Sequence, residues 1–557
     1  MAFQLSPGIN VSEVDLTSVV PSVATSTGAF AGKFAWGPVD QVITVSDEVR
    51  LASQFGNPTD DDYEYWFSAA NFLAYSNNLK VVRAANTTSS LNATSSGPGV
   101  LIKNDDDYDS NFSGNANTYG RYSAKFAGTL GNSIRVELVD TNTYTTWAFA
   151  GDFTDRPTTS DYTAARGGAN DEMHIVVVDS GGRFTGTANT ILEKYAFVSK
   201  GSDAKNSDGT SNYYKDVLNT RSNYVRSLWN GTLTTWGTTV VNKSFELLAI
   251  PVINQLANGA IGTITDGDIT RAYNQCANPD SIDISLIVSG PSNATITNHL
   301  IDNIAEIRKD CVVFASPEKT DVVDNAGSET TDILSYRATV NSSDYAVMDS
   351  GWKYQYDKYN DVYRWVPLNA DTAGLCARTD LERDPWFSPA GSNRGQIKNL
   401  VKLAWNPTKA DRDDLYTKGI NPVITFQGEG TILFGDKTLL TRPTAFDRIN
   451  VRRLFITLEK AIAKAARSSI FEFNDQFTRA QFVNLVEPFL RDVQGRRGIT
   501  DFRVVCDERN NTTEVIDRNE FVGDIYIKPS RSVNFIQLNF VAVRSGVTFD
   551  EIVGRQV

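Results

Sequence analysis

Histidine is nearly missing from this 557-residue chain, which has only His174 and His299. The two lie far apart and neither has a ligand-like neighbour, so the usual acid–base and metal-binding side chain reads as structural at both positions. Methionine is as scarce, at three residues. The four cysteines, Cys276, Cys311, Cys376 and Cys506, show no C-x-x-C spacing, which argues against a zinc site. Three of them sit in or beside apolar strand-like runs, where a reduced thiol behaves as a small hydrophobe. No apolar run approaches the ~20 residues of a membrane span. The first eight residues have neither the basic nor the apolar part of a signal peptide, so synthesis and retention in a cytoplasm are expected. Positive charge is also short: the net charge of −13 argues against general nucleic-acid binding.

The remainder is ordinary for a globular protein, with 41% hydrophobic and 21% charged residues and plentiful tyrosine and phenylalanine. A chain this long is expected to split into several domains. Catalytic constellations fail on inspection. The stretch 430–438 is close to a phosphate-binding P-loop, but Asp436 is inserted between Gly435 and Lys437 and would set a negative charge where phosphates must sit. Asp105, Asp107, Asp109 and Asn111 imitate the start of a calcium loop without its glycine or its final glutamate; they read as a solvated acidic loop. Asp60, Asp61 and Asp62 read likewise, or as the N-terminal cap of the next helix. Ser289 precedes Gly290 and Pro291 without a G-x-S-x-G frame, as in a plain strand-to-helix turn. No cofactor, metal or catalytic residue is expected.

Composition divides the chain. Residues 1–20 read as an extended arm, with Ile9, Val11 and Val14 as its apolar positions. Residues 21–85 form the first part of a core. Residues 86–243, rich in Thr, Ser, Asn, Gly and Asp, read as an inserted, mainly β domain. Residues 244–345 alternate buried strands (245–250, 282–288, 312–314) with helices (268–276, 298–309), as in an α/β unit with a parallel sheet. Residues 346–530 return to the core, opening on an aromatic hairpin, and 531–557 form a second arm. There Ile536, Leu538, Phe540 and Ala542 share one strand face. The fold class is therefore α/β and α+β, multidomain, with an inserted β domain and two strand-capable arms.

The C-terminal helices carry the strongest pattern. Val451, Leu454, Phe455, Leu458, Ile462 and Ala465 follow the i, i+3, i+4 spacing of one buried face in a helix over 451–473. At ~100° per residue, Arg453, Lys460, Lys464 and Arg467 fall within roughly a 60° arc opposite that face. This cationic ridge lacks the interleaved aromatics of a nucleic-acid surface and suits an acidic protein surface. A second helix is expected from Thr478, capped with Gln481, interrupted at Pro488 and stopped by Gly495. Arg491, Arg496 and Arg497 are second-choice basic contacts.

These residues bring a family into view. Ser6-Pro-Gly-Ile-Asn-Val-Ser-Glu13, Gly28-Ala-Phe30, Trp36-Gly-Pro38 and Phe55-Gly56 resemble the N-terminal part of tail sheath proteins of contractile-tailed bacteriophages. Arg452-Arg-Leu-Phe455, Leu458-Glu-Lys-Ala-Ile462, Phe471-Glu-Phe-Asn474, Val486-Glu-Pro-Phe489, Gly495-Arg-Arg-Gly498, Gly523-Asp-Ile-Tyr526 and Asn534-Phe-Ile-Gln-Leu538 resemble the C-terminal part. The resemblance spans about the first 85 residues and most of 345–557, and carries nothing onto the insertion, which is expected to be an outward protrusion. It implies subunits stacked as hexameric rings around a tail tube, meshed by arms that add strands to neighbours. The sheath then contracts to drive the tube through the host envelope during genome delivery. The implied partners are further copies of the chain, the tube protein, and baseplate and tail terminator proteins, with no direct nucleic-acid or membrane contact. The basic ridge is expected to face the tube, and hinges are expected near 17–23 and 528–533. Three other readings stand beside this one. They are the sheath of a phage-like bacteriocin or secretion apparatus, a hydrolase on the α/β segment, and a receptor-binding or decoration protein.

Overall fold

The computed structural model describes residues 23–113, 118–534 and 537. Its centre is a seven-stranded sheet assembled from distant parts of the chain: β1 (Gly28–Gly32), β2 (Val42–Val45), β3 (Leu79–Arg83), β4 (Leu286–Val288), β5 (Val312–Ala315), β6 (Ala346–Asp349) and β7 (Ile420–Asn421). They lie in the order β7-β6-β5-β4-β1-β3-β2. All neighbours are parallel except β2, which closes the edge antiparallel to β3. The inner strands are continuous apolar runs, as a sheet covered on both faces requires. The helices α1 (Tyr63–Leu73) and α2 (Asn369–Glu382) pack together across β1, β3, β4, β5 and β6. Gly28 lets α1 approach, since a Cβ there would stand 2.5 Å from the Phe72 ring.

The register Gly28↔Leu286 joins the N-terminal segment to the α/β segment within one sheet and one core. Residues 262–345 are thus part of this core, whereas 244–260 pack with the segment before them. The alternating pattern was legible, but β4 and β5 find their partners in β1 and β6, far away in sequence. The strand expected over 245–250 is absent; Phe245 and Leu248 are buried as loop residues.

The stretch after β3 carries two antiparallel sheets and several short helices. A four-stranded antiparallel sheet runs Thr190–Ser199, Glu172–Asp179, Ile134–Asp140, Val252–Gln255, beside a two-stranded pair, Tyr122–Ala124 with Val225–Ser227. Its last strand and the bridges Leu91↔Ala260 and Thr94↔Ala257 carry it to about residue 260, beyond the expected end at 243. Its core holds Trp36 from the central part, whose ring lies 5.3 Å from Phe126 and 5.2 Å from Phe184. Arg83, at the end of β3, locks the same joint. Its buried guanidinium donates to the carbonyls of Phe34 (2.9 Å), Gly37 (2.8 Å) and, in the insertion, Ala127 (2.7 Å).

The acidic runs fall into place as local structure. Asp105, Asp107 and Asp109 lie on a short helix, Asp105–Asn111, capped by Asn104, and not in a loop. The acidic side chains favour its N-terminal turn, and Asp105 pairs with the buried Arg226 at 2.5 Å. Asp62 stands at the N-cap of α1, but its side chain accepts from Thr59. The P-loop-like stretch is a strand, Gly430–Leu433, and the next helix begins only at Ile449.

Candidate functional site

The C-terminal region is built on two helices, α3 (Ile449–Ala466) and α4 (Gln476–Gly495), and a two-stranded antiparallel sheet, Ile499–Val505 with Asp524–Pro529. Leu454 and Leu458 of α3 meet Phe482, Val486, Leu490 and Val493 of α4 over Trp386, as the apolar spacing dictates. Helix α3 ends earlier than the sequence pattern indicates: after Ala466 it tightens into a short 3₁₀ turn. Helix α4 begins two residues before Thr478. Its cap is the Asp475 carboxylate, which accepts from the Thr478 N–H at 2.8 Å, in place of the expected Thr478–Gln481 pair. The helix continues through Pro488, which faces solvent, so the carbonyl it leaves without a donor is open to water.

The cationic ridge divides in two. Arg453 is buried: Nη2 donates to Asp380 Oδ2 at 2.6 Å, and Nη1 reaches the Cys376 carbonyl at 3.3 Å. Lys460 Nζ turns inward to Asp283 (2.9 Å), the Ile284 carbonyl (2.6 Å) and Ser285 Oγ (2.9 Å), next to β4. Arg452, which the ridge did not include, pairs with Asp344 just before β6 and lies over the Tyr345 and Phe446 rings. Three α3 cations thus pin the helix, Arg453 to α2 and Arg452 and Lys460 to the segments entering β6 and β4. The ridge arc fails for Arg453 and Lys460 because α3 is covered on more than one side, which helical spacing alone does not reveal.

Lys464 and Arg467 stay exposed; Arg467 stands 3.7 Å from an equally exposed Asp280. Arg491 is exposed and 3.9 Å from Glu487. Arg496 pairs with Asp384 and stacks over Trp386 at 5.1 Å. Arg497 is exposed at a left-handed φ of 68° and has no carboxylate partner among the described residues. Sequence reasoning missed the α3–α4 connector and the first turn of α4, where Ile470, Phe471, Phe473 and, on α4, Phe477 are all exposed, Phe471 fully, at φ 72°. The signal was a run of aromatics past the last buried helical position. Ile9, Val11, Val14, Ile536, Leu538, Phe540 and Ala542, the arm positions, lie outside the described residues.

The residues with chemical potential are occupied structurally. His174 stacks on Phe153 at 4.3 Å; Nε2 donates to the Asp155 carbonyl (2.8 Å) and Nδ1 accepts from the Phe197 N–H (3.1 Å). His299 bonds Asn274 and Asn303. All four cysteines are buried and unpaired, and burial pushes the Cys311 and Cys376 thiols up to about 12. Ser289 Oγ, buried in the core, donates to the Gly290 carbonyl. No cluster of three or more His, Cys, Asp or Glu side chains able to hold a metal occurs among the described residues. Among the same residues, no helix is long and apolar enough to cross a membrane.

Three family profiles match the chain: the phage tail sheath protein central domain over residues 262–439, the phage tail sheath C-terminal domain over 441–542, and the tail sheath protein Gp18 domain III N-terminal region over 25–84. The tail sheath protein of Vibrio phage KVP40 is 33% identical, with 99% of this chain and all of that one aligned. The chain belongs to the phage tail sheath family. The tail sheath protein of Enterobacteria phage T4 is 32% identical over 99% of both chains. Among solved structures, the sheath tail protein of Listeria innocua superposes with a TM-score of 0.53 at 11% identity, covering 91% of this chain and 96% of that one. The sheath of an extracellular contractile injection system in its contracted state gives 0.51 at 14%, covering 97% and 98%. These two show a shared sheath fold. The three matched segments contain the central sheet and the C-terminal region; the insertion lies between the segments 25–84 and 262–439.

Proposed function

We propose that this sheath protein is the repeating subunit of a contractile phage tail, a virion component that polymerises as stacked hexameric rings around the tail tube. Contraction of the polymer drives the tube through the host envelope during genome delivery. The observation that carries this reading is the sheet Ile499–Val505/Asp524–Pro529. It has only two strands, and among the described residues each has one unpaired edge. An isolated pair is marginal in water, and free edges invite strand addition. Arms reaching from neighbouring copies complete it to a larger sheet, with backbone hydrogen bonds supplying affinity at little sequence cost. Full-length identity to phage sheaths favours a phage tail over a bacteriocin or injection system.

The tube-facing surface in this reading is the exposed end of α3, its connector and the start of α4: Lys464 and Arg467 for charge, Phe471, Phe473 and Phe477 for apolar contact. Apolar groups of this size left in water mark an interaction site. Baseplate and terminator proteins are the partners at the polymer ends. Chains lacking residues 1–20, or 536–557, test the arms. The expected outcome is unchanged thermal unfolding with loss of polymer in sedimentation; ordered polymers from both truncations would refute the strand mesh.

A further inference from the structure

A cavity of about 650 Å³ opens between the core and the start of the C-terminal arm, a size typical of a specific site. Trp386, Phe387 and Phe434 give it apolar walls. Five cations line it, Arg394, Lys409, Arg412, Arg497 and Arg531, against two carboxylates, Asp413 and Asp436. Asp436 is already engaged by Arg448 (3.0 Å), Ser532 Oγ (2.7 Å) and Asn534 Nδ2 (3.1 Å). None of the five cations has a carboxylate within ion-pairing distance among the described residues. Two half-buried guanidinium groups, Arg394 and Arg412, with the exposed Lys409, Arg497 and Arg531 at the rim, stand beside aromatic walls without a carboxylate partner in a chain of net charge −13, and form a receptor for an acidic peptide with an aromatic side chain.

We propose that this cavity holds Phe549, Asp550, Glu551 and Ile552 of a neighbouring copy. The sequence outside the described residues offers two acidic stretches, Glu13 to Asp15 and Asp550 to Glu551, and only the second has an aromatic neighbour, Phe549. Residues 530–534 already run along one wall, fixed by Ser532 and Asn534 on Asp436. The 15 residues from Asn534 to Phe549 span at most about 50 Å, enough to reach the same cavity on an adjoining subunit. This rests on the sheath reading for its neighbour and adds a side-chain lock to the strand mesh. Phe549 meets the aromatic walls and the two carboxylates meet Arg412 and Arg497.

Full-length chains test it. Arg412→Cys and Asp550→Cys variants are co-assembled; the native cysteines are buried and do not compete. A disulfide-linked dimer in the mixed polymer, absent from either variant alone, is expected. A polymer without that crosslink overturns the proposal and leaves the sheath reading intact. A labelled peptide of residues 545–557, titrated onto unassembled full-length chain, decides the matter if no polymer forms, an outcome that would sink the sheath reading by itself. Binding weakened at least tenfold by R412E with R497E in the chain, and equally by D550N with E551Q in the peptide, is expected. No binding, or binding indifferent to those changes, overturns it.

Discussion

Arg453 and Asp380 face each other at 2.6 Å with both side chains almost fully enclosed. A pair so deep contributes little net stability when intact, but removing one partner strands a charge in the core. Asp380→Asn is therefore expected to cost ~3–5 kcal/mol in chemical unfolding. Lys464→Ala, on the exposed end of the same helix, is expected to stay within about 0.5 kcal/mol. Equal costs would mean that Arg453 is not held as described. A second buried acid, Asp349, accepts from Ser316 Oγ (2.8 Å) and the Gly351 N–H (3.0 Å) at the end of β6. Burial pushes its carboxyl up to about 8, with Asp371 adding to the rise. The folded chain then keeps a proton that the unfolded chain sheds near pH 4, so this group's contribution to stability falls as pH rises from about 4 through about 8. Asp349→Asn is expected to flatten that part of the stability profile; an unchanged slope would place the titration elsewhere. At this scale the sequence announced the cations of α3 but not their partners, because Asp380, Asp283 and Asp344 approach only through tertiary packing.

Helices α3 and α4 were legible as elements because their apolar spacing is regular. Their ends were less so. The cap of α4 moved from Thr478 to Asp475 because a carboxylate three residues upstream competes for the same N–H, and either side chain fits the local pattern. Asp475→Ala is expected to cost ~1 kcal/mol in thermal or chemical unfolding, whereas Gln481→Ala, on an exposed turn, is expected to cost less than half of that; the reverse order would restore the Thr478–Gln481 cap. The strands β4 and β5 were recognisable as buried runs, yet nothing local told that β4 lies beside β1. Parallel pairing over some 250 residues leaves no turn signature between the partners.

The whole molecule is a core of two sequence segments, one before and one after a single excursion. Composition sets its sides at 86 and 243, yet Val252–Gln255, which reads like core sequence, pairs with Ile134–Asp140. The excursion leaves and returns at one place, where Asn86 Nδ2 donates to the Thr263 carbonyl at 2.8 Å. Replacing residues 88–261 by a short Gly-Ser linker is therefore expected to leave a folded core, with Trp36 changed to Ser to offset the loss of its ring partners. Polymerisation is expected to survive, since the C-terminal sheet and helices are untouched; loss of all polymer from a folded variant would give the insertion a role in assembly. The central claim, that this chain is a self-associating sheath subunit, is tested most directly by electron microscopy of the full-length chain, alone and co-expressed with the tail tube protein of the same phage. Hollow, helically striated tubes of this protein, empty or enclosing the inner tube, are expected. Single particles in both preparations would contradict the account.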